Sequence, residues 1–149
     1  FGVRISLEIF PAANINDIAT GRRLMDLVGN NVSPNSGLLI DIWHITRAGV
    51  PYSEIADLPL SYIAHVELDD AAAAQEGSIF EDTVLRRLLP GEGSFDVPAF
   101  LRAVQSTGYD GPYGVEILSE TFRALAPEEA AKKSFDAAMS QFRFLAERA

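Results

Sequence analysis

The sequence predicts an α/β fold built on a parallel sheet. Apolar, β-rich runs alternate with helical stretches four times along the chain. Turn and helix-start residues separate them, so each strand has room for a crossover helix. Each run also carries an acid near its C-terminal end: Glu8, Asp41, Glu67 and Glu116.

The first run, Val3 to Phe10, is broken by Pro11. Asn14 or Asn16 is expected to cap a helix reaching about Val28, with Ile18, Leu24, Leu27 and Val28 apolar and Gly29-Asn30-Asn31 as its end. The second run is Gly37 to Trp43. Ser53 is expected to cap a short helical turn near Glu54 to Leu58, which Pro59 stops. The third run, Tyr62 to Leu68, leads into a loop rich in alanine and acid, then Pro90-Gly91-Glu92-Gly93. That cluster reads as a tight turn before a helix. Glu92 repels an anion and no Lys-Ser/Thr follows, which argues against a phosphate loop. Asp96 caps the next helix, Pro98 sits in its first turn, and Phe100, Leu101 and Val104 form its apolar face up to Gly108. The fourth run is Pro112 to Leu118. Pro127 opens a long helix to about Glu147, with Phe135, Met139, Phe142 and Leu145 as its buried stripe. The units start near residues 3, 37, 62 and 112, and residues 1–149 read as a single domain.

Bulk properties narrow the function. A chain of 149 residues, 48% hydrophobic, buries a core. Its net charge of −9 argues against nucleic acid or an anionic membrane as partner. There is no cysteine, so thiolate metal sites and disulfides are excluded. With two histidines, a metal site would rely mostly on oxygen ligands. No apolar run approaches the ~20 residues of a membrane span. No signal-peptide pattern opens the chain, and a cytoplasmic location is expected. A start at Phe1 rather than Met suggests a fragment or a processed chain.

The acids carry the functional argument. Side chains alternate between the two faces of a strand. Val3, Ile5 and Leu7 oppose Arg4, Ser6 and Glu8; Leu38, Ile40 and Ile42 oppose Leu39 and Asp41. Val66 and Leu68 oppose His65, Glu67 and Asp69; Val115 and Ile117 oppose Gly114, Glu116 and Leu118. Each strand thus shows one aliphatic face and one acid-bearing face. That arrangement fits the mouth of a β/α barrel, where sites sit at the C-terminal ends of strands. Lone buried carboxylates are costly, and clustered ones more so unless protons or a cation neutralise them. A divalent metal does this directly. A single acid at a strand end is more often a cap or a loop residue; four of one parity weigh against that.

The stretches LEIFP, GLLIDIWH, HVELDD, LLPGEG and GYDGPYGVEIL, in this order over nearly all of the chain, resemble the second half of xylose isomerase-like barrels, the sugar phosphate isomerases and epimerases. The resemblance implies a (β/α)8 TIM barrel of which this chain holds about four β/α units, the C-terminal half. It implies one divalent ion (Mn, Mg, Co or Zn) held by Glu8, Asp41, Glu67 and Glu116. His44, in an Asp-x-x-His pattern, is expected to contact substrate hydroxyls, and Arg87 a substrate oxygen or carboxylate. The chain departs from the family where a histidine is common as third ligand, since it reads His65-Val66-Glu67. Glu67 takes the ligand position, with His65 as substitute ligand or neighbour, or as an ordinary core histidine.

A complete barrel has eight strands and typically about 250 residues. A missing N-terminal half-barrel or a homodimer is therefore expected to complete the sheet. The implied activity is a metal-dependent isomerase or epimerase of a sugar or sugar phosphate. It would act through an enediolate, with Glu8 and Glu116 as proton carriers. The nearest rival is a metal-dependent dehydratase of a cyclic hydroxy ketone, of 3-dehydroshikimate or inosose type. A non-catalytic half-barrel or binding module is the third reading. Trp43 walls the pocket or packs the core, and packing is favoured.

Overall fold

A computed structural model describes residues 3–28 and 35–146. Contacts divide the chain into two compact units. The first runs to Glu67 and adds Ala103–Gly114; the second holds Leu68–Arg102 and the residues from Val115 onward.

The sheet belongs to the first unit except for Leu68 and Val115, the last residues of its third and fourth strands. Its strands β1 (Ile5–Glu8), β2 (Ser36–Asp41), β3 (Ile63–Leu68) and β4 (Tyr113–Val115) lie in the order β1-β2-β3-β4. The β1–β2 and β2–β3 pairs are parallel. Leu38 and Ile40 of β2 and Val66 of β3 are fully buried, as expected of strands covered by helices. β1 is an edge strand, and the side chains of its Ile5 and of Val3 just before it, expected to face helices, are largely exposed.

Helix α1 (Ile18–Val28) begins one residue after its cap. The cap is Asp17 rather than Asn14 or Asn16. Its Oδ1 accepts from the Thr20 N–H and the Thr20 hydroxyl, both at 2.7 Å. These bonds, the backbone one foremost, hold the Asp17 carboxyl below its usual range. Ile18 and Met25 are buried, whereas Leu27 is 80% exposed. At ~100° per residue, Leu27 falls half a turn from Ile18. The expected helix end at residues 29–31 lies outside the described residues.

β2 ends at Asp41, two residues before the expected end at Trp43. Asp41 caps helix α2 (Ile42–Arg47), with extended backbone (φ −98, ψ 129) and its Oδ1 accepting from Trp43 N–H at 2.7 Å. Ile42, Trp43 and Ile45 of α2 are fully buried, so Trp43 is a core residue. The next helix, α3 (Ser53–Ala56), starts at Ser53 itself; its cap position is Tyr52, with no side-chain bond.

The second unit opens at Leu68. Helix α4 (Ile79–Leu85) follows the alanine- and acid-rich loop, and a full Ser78/Glu81 capping box starts it. Helix α5 (Val97–Ser106) is capped by Asp96, whose Oδ1 accepts from Ala99 N–H at 2.9 Å. Phe100 and Leu101 are fully buried. Between these helices, buried Asp70 gathers the N–H groups of Ala71 (2.8 Å), Gly91 (3.0 Å) and Phe95 (2.9 Å). Gly93 lets the turn close on it, since a Cβ there would stand 2.3 Å from Asp70 Oδ1. Helix α6 (Pro127–Ala146) buries Ala138 and Leu145. Phe135, expected in that stripe, is 65% exposed; it lies roughly 60° off the Ala138–Leu145 line. The expected end at Glu147 lies outside the described residues.

Candidate metal centre

In the first unit three acids converge at the C-terminal ends of successive strands. One carboxylate oxygen from each of Glu8, Asp41 and Glu67 lies within 4.8 Å of the others. Register explains the meeting. Glu8 pairs with Leu39, and Asp41 with Glu67. The β2–β3 register steps by one residue, from Leu38↔Ile63 to Leu39↔His65, skipping Ala64. Without that step Asp41 would stand beside Val66, a residue of the opposite face. Gly37 accommodates the skipped residue, since a Cβ at Gly37 would meet the Ala64 Cβ at 2.8 Å.

Asp41 divides its oxygens. Oδ1 caps α2, and Oδ2 is 3.5 Å from His44 Nε2. His44 Nε2 is 2.9 Å from Glu8 Oε1. The imidazole is nearly buried, its ring edge-on to Phe10 (5.1 Å) and Trp43 (5.0 Å). Capping by Asp41 places His44 in the first turn of α2, which brings it back to its own cap. His65 Nε2 is 3.6 Å from Glu67 Oε1, a contact too long for a hydrogen bond. Gly114 flanks both, because a Cβ there would approach His65 Nε2 to 2.9 Å and Glu67 Cγ to 3.0 Å.

In the second unit Glu116 follows β4, and its N–H donates to Leu68 O at 3.2 Å. Glu116 Oε2 lies 3.2 Å from Arg87 Nη1. Arg87 is 1% exposed. Its Nη1 also donates to Asp69 Oδ2 (2.5 Å), its Nη2 to Thr83 Oγ1 (2.8 Å) and its Nε to Thr83 O (3.1 Å). Arg87 further lines a cavity of about 580 Å³ with Ser119, Thr121, Phe122, Lys133 and Asp136. Asp69 and Thr83 carried no role in the sequence reading. Their signal was there in part: Asp69 continues the acid-bearing face of β3 one step past Glu67.

The chemistry of the donor set fits a hard divalent ion. Two carboxylates ~4 Å apart repel by about 4 kcal/mol at an effective dielectric near 20. Asp41, which is fully buried, and Glu67, at the same strand level, therefore call for positive charge between them. Carboxylate oxygens beside an imidazole suit Mg²⁺, Mn²⁺, Zn²⁺ or Co²⁺. The bare Cα of Gly114 leaves the Glu67 side chain room beside His65.

The sequence matches the xylose isomerase-like TIM barrel family over residues 1–141. It is 33% identical over 129 residues to a 3-dehydroshikimate dehydratase of Pseudomonas aeruginosa, covering 87% of this chain and 20% of that protein. It is 26% identical over 138 residues to an inosose isomerase of Halalkalibacterium halodurans, covering 91% and 47% respectively. The fold superposes with a TM-score of 0.82 on the IOLI protein, whose crystal structure holds a zinc atom; identity is 24%, over 94% of this chain and 49% of that one. The chain belongs to the xylose isomerase-like TIM barrel family. It spans about half the length of the inosose isomerase and a fifth of the dehydratase.

Proposed function

We propose that this chain supplies the metal-binding half of a divalent-metal-dependent sugar isomerase or epimerase. The convergence of Glu8, Asp41 and Glu67 within 4.8 Å carries the reading. Glu116 is taken as the fourth ligand. Gly114 packs against Glu67, and Glu116 follows two residues later, just past the end of β4.

A bound divalent ion supplies Lewis acidity, which polarises a carbonyl and stabilises an enediolate. The chain's residues do the rest. Asp41, held rigid by the N–H of Trp43, and Glu67 anchor the site. Glu8 and Glu116 carry protons to and from carbon, each through one carboxylate oxygen. His44, whose Nε2 is 2.9 Å from Glu8 Oε1, holds that carboxylate's orientation; its Nδ1 is buried, so a substrate hydroxyl would share Nε2 with Glu8. Buried Trp43 and half-buried Phe10 wall the imidazole with apolar surface. Arg87 lines the cavity beside Ser119 and Thr121, with its guanidinium already engaged by Asp69, Thr83 and Glu116. A missing N-terminal half-barrel, or a second copy of the chain, would complete the sheet beyond β1.

The dehydratase reading uses the same residues and the same proton abstraction. The 33% identity to a 3-dehydroshikimate dehydratase favours it. Incubation of the full-length protein in D2O with an inosose, a ketose or 3-dehydroshikimate separates the cases. Metal-dependent deuterium uptake next to the carbonyl without loss of water supports isomerisation. Metal-dependent loss of water from 3-dehydroshikimate supports the dehydratase. Neither event with any substrate, with or without Mn²⁺, contradicts both.

A further inference from the structure

Two acids stand side by side after Glu67, and each does a different job. Asp70 ties the Pro90–Gly93 turn through backbone N–H groups. Asp69, fully buried, spends its Oδ2 on the Arg87 guanidinium, which Thr83 holds twice more. A buried carboxylate and a buried guanidinium are expensive to desolvate, and stability alone gives weak reason to keep them. The geometry gives another reason. The fork of Arg87 is fixed from three sides, and the same Nη1 that meets Asp69 is 3.2 Å from Glu116 Oε2. Glu116 is itself partly exposed, with its side chain at 39%, and has several rotamers to choose from.

We propose that Asp69 is a positioning residue that acts through Arg87 on Glu116. Asp69 and Thr83 fix the guanidinium, and the guanidinium holds one oxygen of Glu116, so that the other faces a constant direction. Arg87 thereby serves the carboxylate first, and its charge is met by two acids before any substrate arrives. This rests on the reading of Glu116 as a metal ligand.

The test is Mn²⁺ titration by calorimetry on the full-length protein, with thermal unfolding recorded alongside. The native protein, Asp69→Asn, Glu116→Gln and the double variant form a cycle. Removing a hydrogen-bond partner that orients a ligand typically weakens metal binding by about 10–100-fold, and Asp69→Asn is expected to fall near the lower end. The double variant is expected to bind no more weakly than Glu116→Gln alone. A merely structural Asp69 would show the same loss in both backgrounds, which overturns the proposal. Native affinity in Asp69→Asn overturns it as well, while leaving the metal centre standing. Equal affinity of native and Glu116→Gln removes Glu116 from the ligand set, and the proposal with it. Absence of Mn²⁺ binding in the native protein removes the metal centre itself. Should Asp69→Asn not fold, Asp69→Leu paired with Arg87→Met replaces both buried charges by apolar groups and enters the same cycle; native affinity in that pair overturns the proposal.

Discussion

Glu8 Oε1 and His44 Nε2 stand 2.9 Å apart, joining the end of β1 to the first turn of the helix that follows β2. The contact depends on Asp41. By capping α2, Asp41 starts the helix immediately after the strand and puts His44 three residues on, beside its own Oδ2. One side chain thus both ends a strand and builds one wall of a site.

That double role is separable. Asparagine caps helices about as well as aspartate, whereas alanine loses about 1 kcal/mol. Without metal, Asp41→Asn is expected to match or exceed native stability, because it removes a like charge beside Glu67. Asp41→Ala is expected to be about 1 kcal/mol less stable than Asp41→Asn. Both lose Mn²⁺-induced stabilisation. Thermal unfolding with EDTA and with Mn²⁺ reads all of these values.

Two glycines set the register and the space for Glu67. Gly37→Ala forces a Cβ to within 2.8 Å of the Ala64 Cβ, and Gly114→Ala places one 3.0 Å from Glu67 Cγ. Crowding of this kind costs about 1–3 kcal/mol. Both variants are expected to weaken Mn²⁺ binding by about tenfold, in line with disturbed ligand orientation. Denaturant titration and calorimetry check the two effects.

Asp70→Ala removes a buried acceptor that serves three backbone N–H groups. Leaving such donors unmet costs about 1–3 kcal/mol each before relaxation, so a loss of roughly 3 kcal/mol is expected. Amide exchange at Gly91 and Phe95 should accelerate well ahead of exchange in α5.

Tyr113 gives a pH signature. Burial, with a smaller contribution from Tyr109, pushes its phenol up to about 12. The folded state therefore favours the neutral form, and the unfolded chain ionises first, near pH ~10. The associated stability is intact below about pH 10 and is lost as pH rises towards 12. Unfolding free energies measured across that window should fall, and Tyr113→Phe should remove this component of the slope.

The sequence made the acids, the strands and α5 legible because those depend on local pattern. Asp96, Pro98 and Phe100 carry their instructions within a few residues. Ser78-x-x-Glu81 carries the start of α4 in the same local way. Asp41 as a cap was hidden because Ile42, Trp43 and Ile45 look like the continuation of a buried strand. The first four residues of α2 are all buried, so it shows no helical period. The register step at Ala64 was not legible, since it arises from pairing between strands rather than from either strand alone. The same holds for Asp69 and Arg87, 18 residues apart in sequence and bonded only through the fold.

Glu8, Asp41 and Glu67 are proposed to hold one divalent cation. Calorimetric titration of the metal-stripped protein with Mn²⁺ tests it most directly, with Asp41→Asn and Glu67→Gln run in parallel. One ion per chain is expected in the native protein, with loss of binding in both variants. Binding that is absent in the native protein, or that survives unchanged in both variants, contradicts it.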